Sequence, residues 1–176
     1  MLKKLKDEAL RALLFLKHVE KITIYERKVG QDKASKLFEI EVVNAEEVKK
    51  ERLSLINNLK AHVNPDQYAN QEDVLQYSVR PTYRITQEDG STTVETWNIT
   101  TLVGNVVKSR EYMKARTDGN LSSHRLIPWV GIAAPMDPNI KIDAPGLFCF
   151  LPMGIQLPFP VHINGHFAVK HSRCEI

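Results

Sequence analysis

Few residues in this sequence have the means to do chemistry. His162 and His166 flank Ile163-Asn164-Gly165, and His171 follows five residues later. On a strand, residues four apart share a face, so two imidazoles could chelate a metal. No third ligand stands at a fitting spacing, and Gly165 favours a kink. Packing, or a hydrogen bond through one ring nitrogen, is the expected role, and no metal is expected. Cys149 lies between Phe148 and Phe150 in an apolar run. Burial there raises a thiol pKa and makes the side chain a small hydrophobe. Nothing near Cys174 marks it as a nucleophile. A hydrolase needs a nucleophile with a neighbouring base and an orienting acid. There is no GxSxG elbow, and His124 beside Ser122 and Ser123 is a lone cluster. The phosphate cradles GxxxxGK[ST] and GxGxxG are absent as well. Asn98-Ile-Thr100 and Asn120-Leu-Ser122 match the glycosylation sequon, by chance if no secretory signal precedes them. Arg110, Lys114 and Arg116 surround Tyr112 and read as a solvated helix face. No catalytic residue is expected.

The bulk properties agree. The chain has 176 residues, 43% hydrophobic and 26% charged, which suits one compact domain and argues against disorder. Its 24 basic and 21 acidic residues leave a net charge of +3. That is too mild for a nucleic-acid binder, which needs clustered Lys and Arg. No apolar run approaches the roughly 20 residues that span a bilayer, so no membrane partner is expected. Asp7, Glu8 and Arg11 interrupt any signal-peptide core after Lys3, Lys4 and Lys6. Two cysteines without a CxxC pair argue against a disulfide scaffold or a zinc ribbon, and for a reducing cytoplasm.

The elements that would position these residues follow from hydrophobic periodicity. Leu2, Leu5, Ala9, Ala12 and Leu16 recur at helical steps, so a helix should run to about Lys17. The period then drops to two, predicting a strand over Lys21 to Glu26 and a second carrying Phe38, Ile40 and Val42 on one face. Asn44 and Glu47 have capping-box spacing, with Val48, Leu55, Ile56, Leu59 and Val63 as the stripe of the helix that follows. Glu46 and Lys50 form an i,i+4 pair, and Asn64-Pro65 ends the helix. A hairpin turns at Asp89-Gly90. Tyr77, Val79, Tyr83 and Ile85 share one face of its first arm, and Trp97, Ile99 and Val103 one face of its second. A three-residue loop, Asp89 to Ser91, would pair Tyr83 with Trp97; a two-residue loop would pair Ile85 with Val94. Pro81 predicts an edge or a bulge. A short helix over Ser109 to Arg116 is expected next. Seven of the nine prolines then fall between Pro128 and Pro160, around short apolar runs that read as buried strands. The expectation is an α+β fold, a mostly antiparallel sheet with packed helices. Ile176 directly follows an apolar strand, which suggests a piece of a longer protein.

Three blocks in the last third are more specific. Ile127-Pro-Trp-Val-Gly-Ile-Ala-Ala-Pro135, Gly146-Leu-Phe-Cys-Phe-Leu-Pro152 and Leu157-Pro-Phe-Pro-Val-His-Ile-Asn-Gly-His-Phe-Ala-Val169 resemble the sacsin repeat region. Leu13-Leu-Phe-Leu-Lys-His-Val-Glu-Lys-Ile-Thr-Ile-Tyr25 resembles the stretch that follows the family's GHKL-type ATPase module, itself similar to that of the ninety-kilodalton heat-shock chaperone. The likeness spans roughly residues 10 to 173.

The resemblance implies a non-catalytic segment of a chaperone or co-chaperone. Unfolded clients, co-chaperones and an upstream ATPase module would be its partners. ATP would be bound by that module and no cofactor by this segment, since the family's nucleotide-binding motifs are absent. The family's Ser-Asn-Arg-Arg-like stretch is here His171-Ser172-Arg173-Cys174, so one arginine is replaced by cysteine. If the segment completes the ATPase, Lys170 and Arg173 would be its phosphate contacts; a purely structural scaffold module is the remaining reading. Bulky apolar residues over Leu147 to Leu157 and Phe159 to Val169 are expected to stay partly uncovered as a client surface.

Overall fold

The computed structural model describes residues 2–30, 32–62, 75–104, 129–149 and 151–165. Among these residues two helices, α1 (Leu2–Phe15) and α2 (Ala45–His62), accompany nine strands in one sheet. The strands are β1 (Lys21–Glu26), β2 (Ser35–Val42), β3 (Leu75–Val79), β4 (Thr82–Gln87), β5 (Thr92–Val103), β6 (Trp129–Pro135), β7 (Gly146–Cys149), β8 (Leu151–Gln156) and β9 (His162–Gly165). Their order is β1-β2-β4-β5-β6-β9-β7-β8, with β3 paired to β5 beside β4. All pairs are antiparallel except β7 with β9. The fold is therefore mostly sheet, and its helices are few.

The twelve-residue β5 organises the sheet. Its first part pairs with β4, and its later part lies between β3 and β6. One register runs through the whole hairpin: Thr82 faces Thr96 and Leu75 faces Val103. Tyr83 thus faces Glu95, where the sequence suggested Trp97. The loop is Glu88-Asp89-Gly90, one residue earlier than expected. Gln87 N–H donates to the Ser91 carbonyl (2.9 Å), and Gly90 N–H to the Gln87 carbonyl (3.0 Å). Gly90 has φ 81°, a left-handed conformation that glycine adopts without Cβ strain. The shift of two residues preserves the strand faces, so the expected facing sets hold although the partners differ.

Pro81 makes no bulge. It sits where the arm passes from the edge (β3) to the interior (β4), and its carbonyl accepts from Trp97 N–H (3.0 Å). Asn44 secures that join. Its Oδ1 accepts from Thr82 N–H (2.8 Å) and its Nδ2 donates to the Arg80 carbonyl (2.9 Å). The side chain expected to cap α2 instead bridges the two residues flanking the proline. Glu46 pairs with Lys49 (2.8 Å), not with Lys50.

The core fills the inner face. Val79, Tyr83, Ile85, Trp97 and Ile99 of the hairpin, with Phe38 and Ile40 of β2, lie beneath α1. The helix buries Ala9, Leu13, Leu14 and Phe15, while Leu5 is exposed; the buried stripe is rotated from the one periodicity suggested. Tyr83 Oη reaches the Leu13 carbonyl at 3.5 Å, tying helix to sheet, and burial pushes its phenol pKa up.

Candidate functional site

The tail strands, expected to be partly bare, mix buried and open positions: Ile155, Leu157, Val161 and Ile163 are partly exposed. Leu147, Phe148 and Met153 are buried, as are His162 and Asn164; Phe159 is 58% exposed. The Pro-bounded runs are short and apolar because they complete the layer under α1. Phe148 packs against Phe15 with ring centroids 5.0 Å apart.

His162 sits at the centre of this packing. Its ring stacks on Trp97 (5.8 Å) and meets the edge of Phe148 (5.5 Å). Nδ1 accepts from Gly146 N–H (3.1 Å), which leaves the remaining proton on Nε2. Burial first, then the positive charge of Arg11, lower its pKa to about 4. The ring is neutral at pH 7 and acts as a core aromatic with one hydrogen bond, the role its sequence setting suggests. It lines a cleft of about 90 Å³, rimmed by Asp7, Arg11, Glu95, Lys141 and Asp143. Both signs of charge meet there, and Glu95 accepts from Trp97 Nε1 (3.1 Å).

The outer face of the sheet divides along β5. On β1, β2 and β4 it is a charge lattice. Lys21 lies 3.4 Å from Glu39 and 3.2 Å from Glu41, Arg84 lies 2.7 Å from Glu41, and Thr23 donates to Glu39 (3.2 Å). These residues face one another through the register of the three strands. Beyond β5 the same face turns apolar. The register brings Leu102 beside Val130, Thr100 beside Ile132, Asn98 beside Ala134, and Ile132 beside Ile163. Leu102, Val130, Ile132, Ala134 and Ile163 are all partly exposed. Met136 (48% exposed) extends the strip, its N–H donating to the Thr96 carbonyl, and Val94 (61%) lies at its border, opposite Arg84 of the lattice. Such a strip is apolar surface left open to solvent.

A second recess, of about 30 Å³, lies where α1 ends, between Lys17, Arg52, Tyr77, Thr101, Trp129 and Asn164. Arg52 Nη1 donates to the Lys17 carbonyl (3.3 Å), and the Lys17 ammonium lies 5.5 Å from the Trp129 ring centre. Burial, then the Arg52 charge, lower the Lys17 pKa.

Among the described residues, no group of three or more His, Cys, Asp or Glu could hold a metal ion. Cys149 is half-buried. Lys170 and Arg173, the suggested phosphate contacts, lie outside the described residues, as do His166, His171, Cys174, the Ser122-Ser123-His124 cluster and the Arg110–Arg116 stretch. No described helix is long and apolar enough to cross a membrane. Sequence reasoning missed the apolar strip, because its residues come from three strands and are read together only once the register is known. It also missed the Lys17–Arg52 recess.

No protein-family model matches the chain. No solved structure matches it. Among curated proteins, it is 26% identical to human sacsin over 182 aligned residues. The match covers 98% of this chain and 4% of sacsin, so the chain spans a small part of that protein's length. The chain is thus similar, almost from end to end, to one stretch of sacsin.

Proposed function

We propose that the chain is a non-catalytic, polypeptide-holding module of a sacsin-like chaperone, working in the cytoplasm beside a GHKL-type ATPase module that binds the ATP. Its partners are unfolded client segments or co-chaperones. The observation that carries this reading is the likeness to sacsin over 98% of the chain. The geometry supports it with the apolar part of the outer sheet face, where Ile132 pairs with Ile163 and Met136, just past the end of the same strand, stands exposed. Apolar side chains held on a flat sheet bind extended segments through burial, at about 25 cal/mol per Å² removed from water, and need no reacting group.

The test mixes the 176-residue chain with a client whose disulfides have been reduced, and follows light scattering alongside sedimentation. The expected result is suppressed client aggregation, or self-association of the chain through the same strip. A chain that is strictly monomeric and leaves aggregation unchanged would rule the reading out.

A further inference from the structure

The basic residues of the described structure differ in how their charge is met. Lys21 and Arg84 pair with Glu39 and Glu41, and Lys49 pairs with Glu20 (2.6 Å) and Glu46 (2.8 Å). Lys17 and Arg52 have no carboxylate partner among the described residues. They are close enough for the Arg52 charge to lower the Lys17 pKa, and burial lowers that of Arg52 as well. Glu20, which shares the adjoining recess with Lys17 and Arg52, is engaged by Lys49 at 2.6 Å.

Among the described residues nothing balances this pair. The C-terminal end of a helix offers roughly half a negative charge, against two positive ones. Arg52 spends one of its donors on the Lys17 carbonyl, and the Lys17 ammonium rests over an indole, which accepts no conventional hydrogen bond. Among the described residues that line the recess there is no carboxylate; its other polar groups are those of Tyr77, Thr101 and Asn164, and the Trp129 indole forms part of the wall. Its 30 Å³ holds about two waters, or one small oxyanion at the end of a longer ligand. Two cations that line one recess both gain when an anion enters between them.

We propose that the Lys17–Arg52 recess binds the oxyanion, carboxylate or phosphate, of an acidic side chain on a bound polypeptide. The choice of a polypeptide as carrier rests on the function proposed above; the oxyanion chemistry rests on the recess itself. Arg52 supplies the planar fork and Lys17 the point charge, while Trp129 and Tyr77 flank the group.

The test titrates the whole 176-residue chain with inorganic phosphate, with a short Glu-rich peptide, and with the same peptide carrying one phosphoserine, following the Trp129 indole N–H and Arg52 Nε resonances by NMR. Saturable binding of at least one probe is expected. Arg52→Gln and Lys17→Met should each weaken it at least about tenfold, and Lys17→Arg should largely retain it. The tighter of the two peptides identifies the preferred oxyanion. Absence of saturable binding, or binding indifferent to both Arg52→Gln and Lys17→Met, overturns the site. Lys17→Met keeps the test open if the Arg52 variant fails to fold. A chain that holds client yet binds no probe defeats this site and leaves the function standing; one that binds a probe yet holds no client does the reverse.

Discussion

The outer face of the sheet is two surfaces joined at β5. On β1, β2 and β4, Lys21, Glu39, Glu41 and Arg84 interlock, so each charge has its opposite on the neighbouring strand. On β5 the corresponding positions pass through Thr96, Asn98 and Thr100 to Leu102, and on β6 and β9 they are Val130, Ile132, Ala134 and Ile163. The backbone is alike on both sides; the side chains differ. A charge lattice is soluble, and its lysine heads resist pairing with a further strand. An apolar strip gains by being covered. The proposed function places contact on the apolar half and leaves the charged half to solvent.

The inner face, common to both halves, sets the scale of the effects. Trp97→Ala should cost about 3–5 kcal/mol, because it empties the site where Trp97 stacks on His162 beneath β5. Chemical denaturation checks this value, and a loss below about 1 kcal/mol would show that the halves do not share one core.

Next comes pH. The His162 pKa falls from 6.5 in the unfolded chain to about 4 in the folded protein. Between those values the unfolded state binds the extra proton. Stability is thus complete above pH 6.5, declines as pH falls toward 4, and changes no further through this group below that. The loss is on the order of 3 kcal/mol. His162→Phe should flatten that part of the profile, as read by denaturation at stepped pH.

Substitutions on the outer face then separate the halves directly. Val94→Lys with Met136→Lys should abolish client holding while shifting stability by no more than about 0.5 kcal/mol, since both side chains are exposed. Aggregation assays and denaturation, run in parallel, check the two parts. The smallest effect belongs to the charge lattice. Glu41→Gln should lower stability slightly at low salt and leave client holding intact. Its stability effect should vanish near about 0.5 M salt, where screening acts over a few ångströms. If Glu41→Gln impaired holding as much as the lysine pair, the division of the face would carry no function.

Much of the fold was legible because hydrophobic period is local. Ile22 and Ile24 mark β1, and Phe38 and Ile40 mark β2. The hairpin faces were readable for the same reason, since a slip of two residues keeps every side chain on its side. Cross-strand partners were not, because they depend on where the loop places its left-handed residue, here Gly90. Asn44 illustrates a different limit. Its spacing to Glu47 satisfies a local rule, yet the peptide groups around Pro81, distant in sequence, claim its side chain. The candidate sites lie further still from local pattern. Lys17, Arg52 and Trp129 meet only through the packing of two helices on one sheet, and the apolar strip exists only once β5, β6 and β9 are in register.

The most direct measurement places a photo-crosslinking residue at Met136, on the apolar half, and separately at Thr23, within the charge lattice. Each protein is irradiated with the same reduced client. The account predicts efficient capture of client from position 136 and little from position 23. Equal capture at both positions, or capture from position 23 alone, would contradict it.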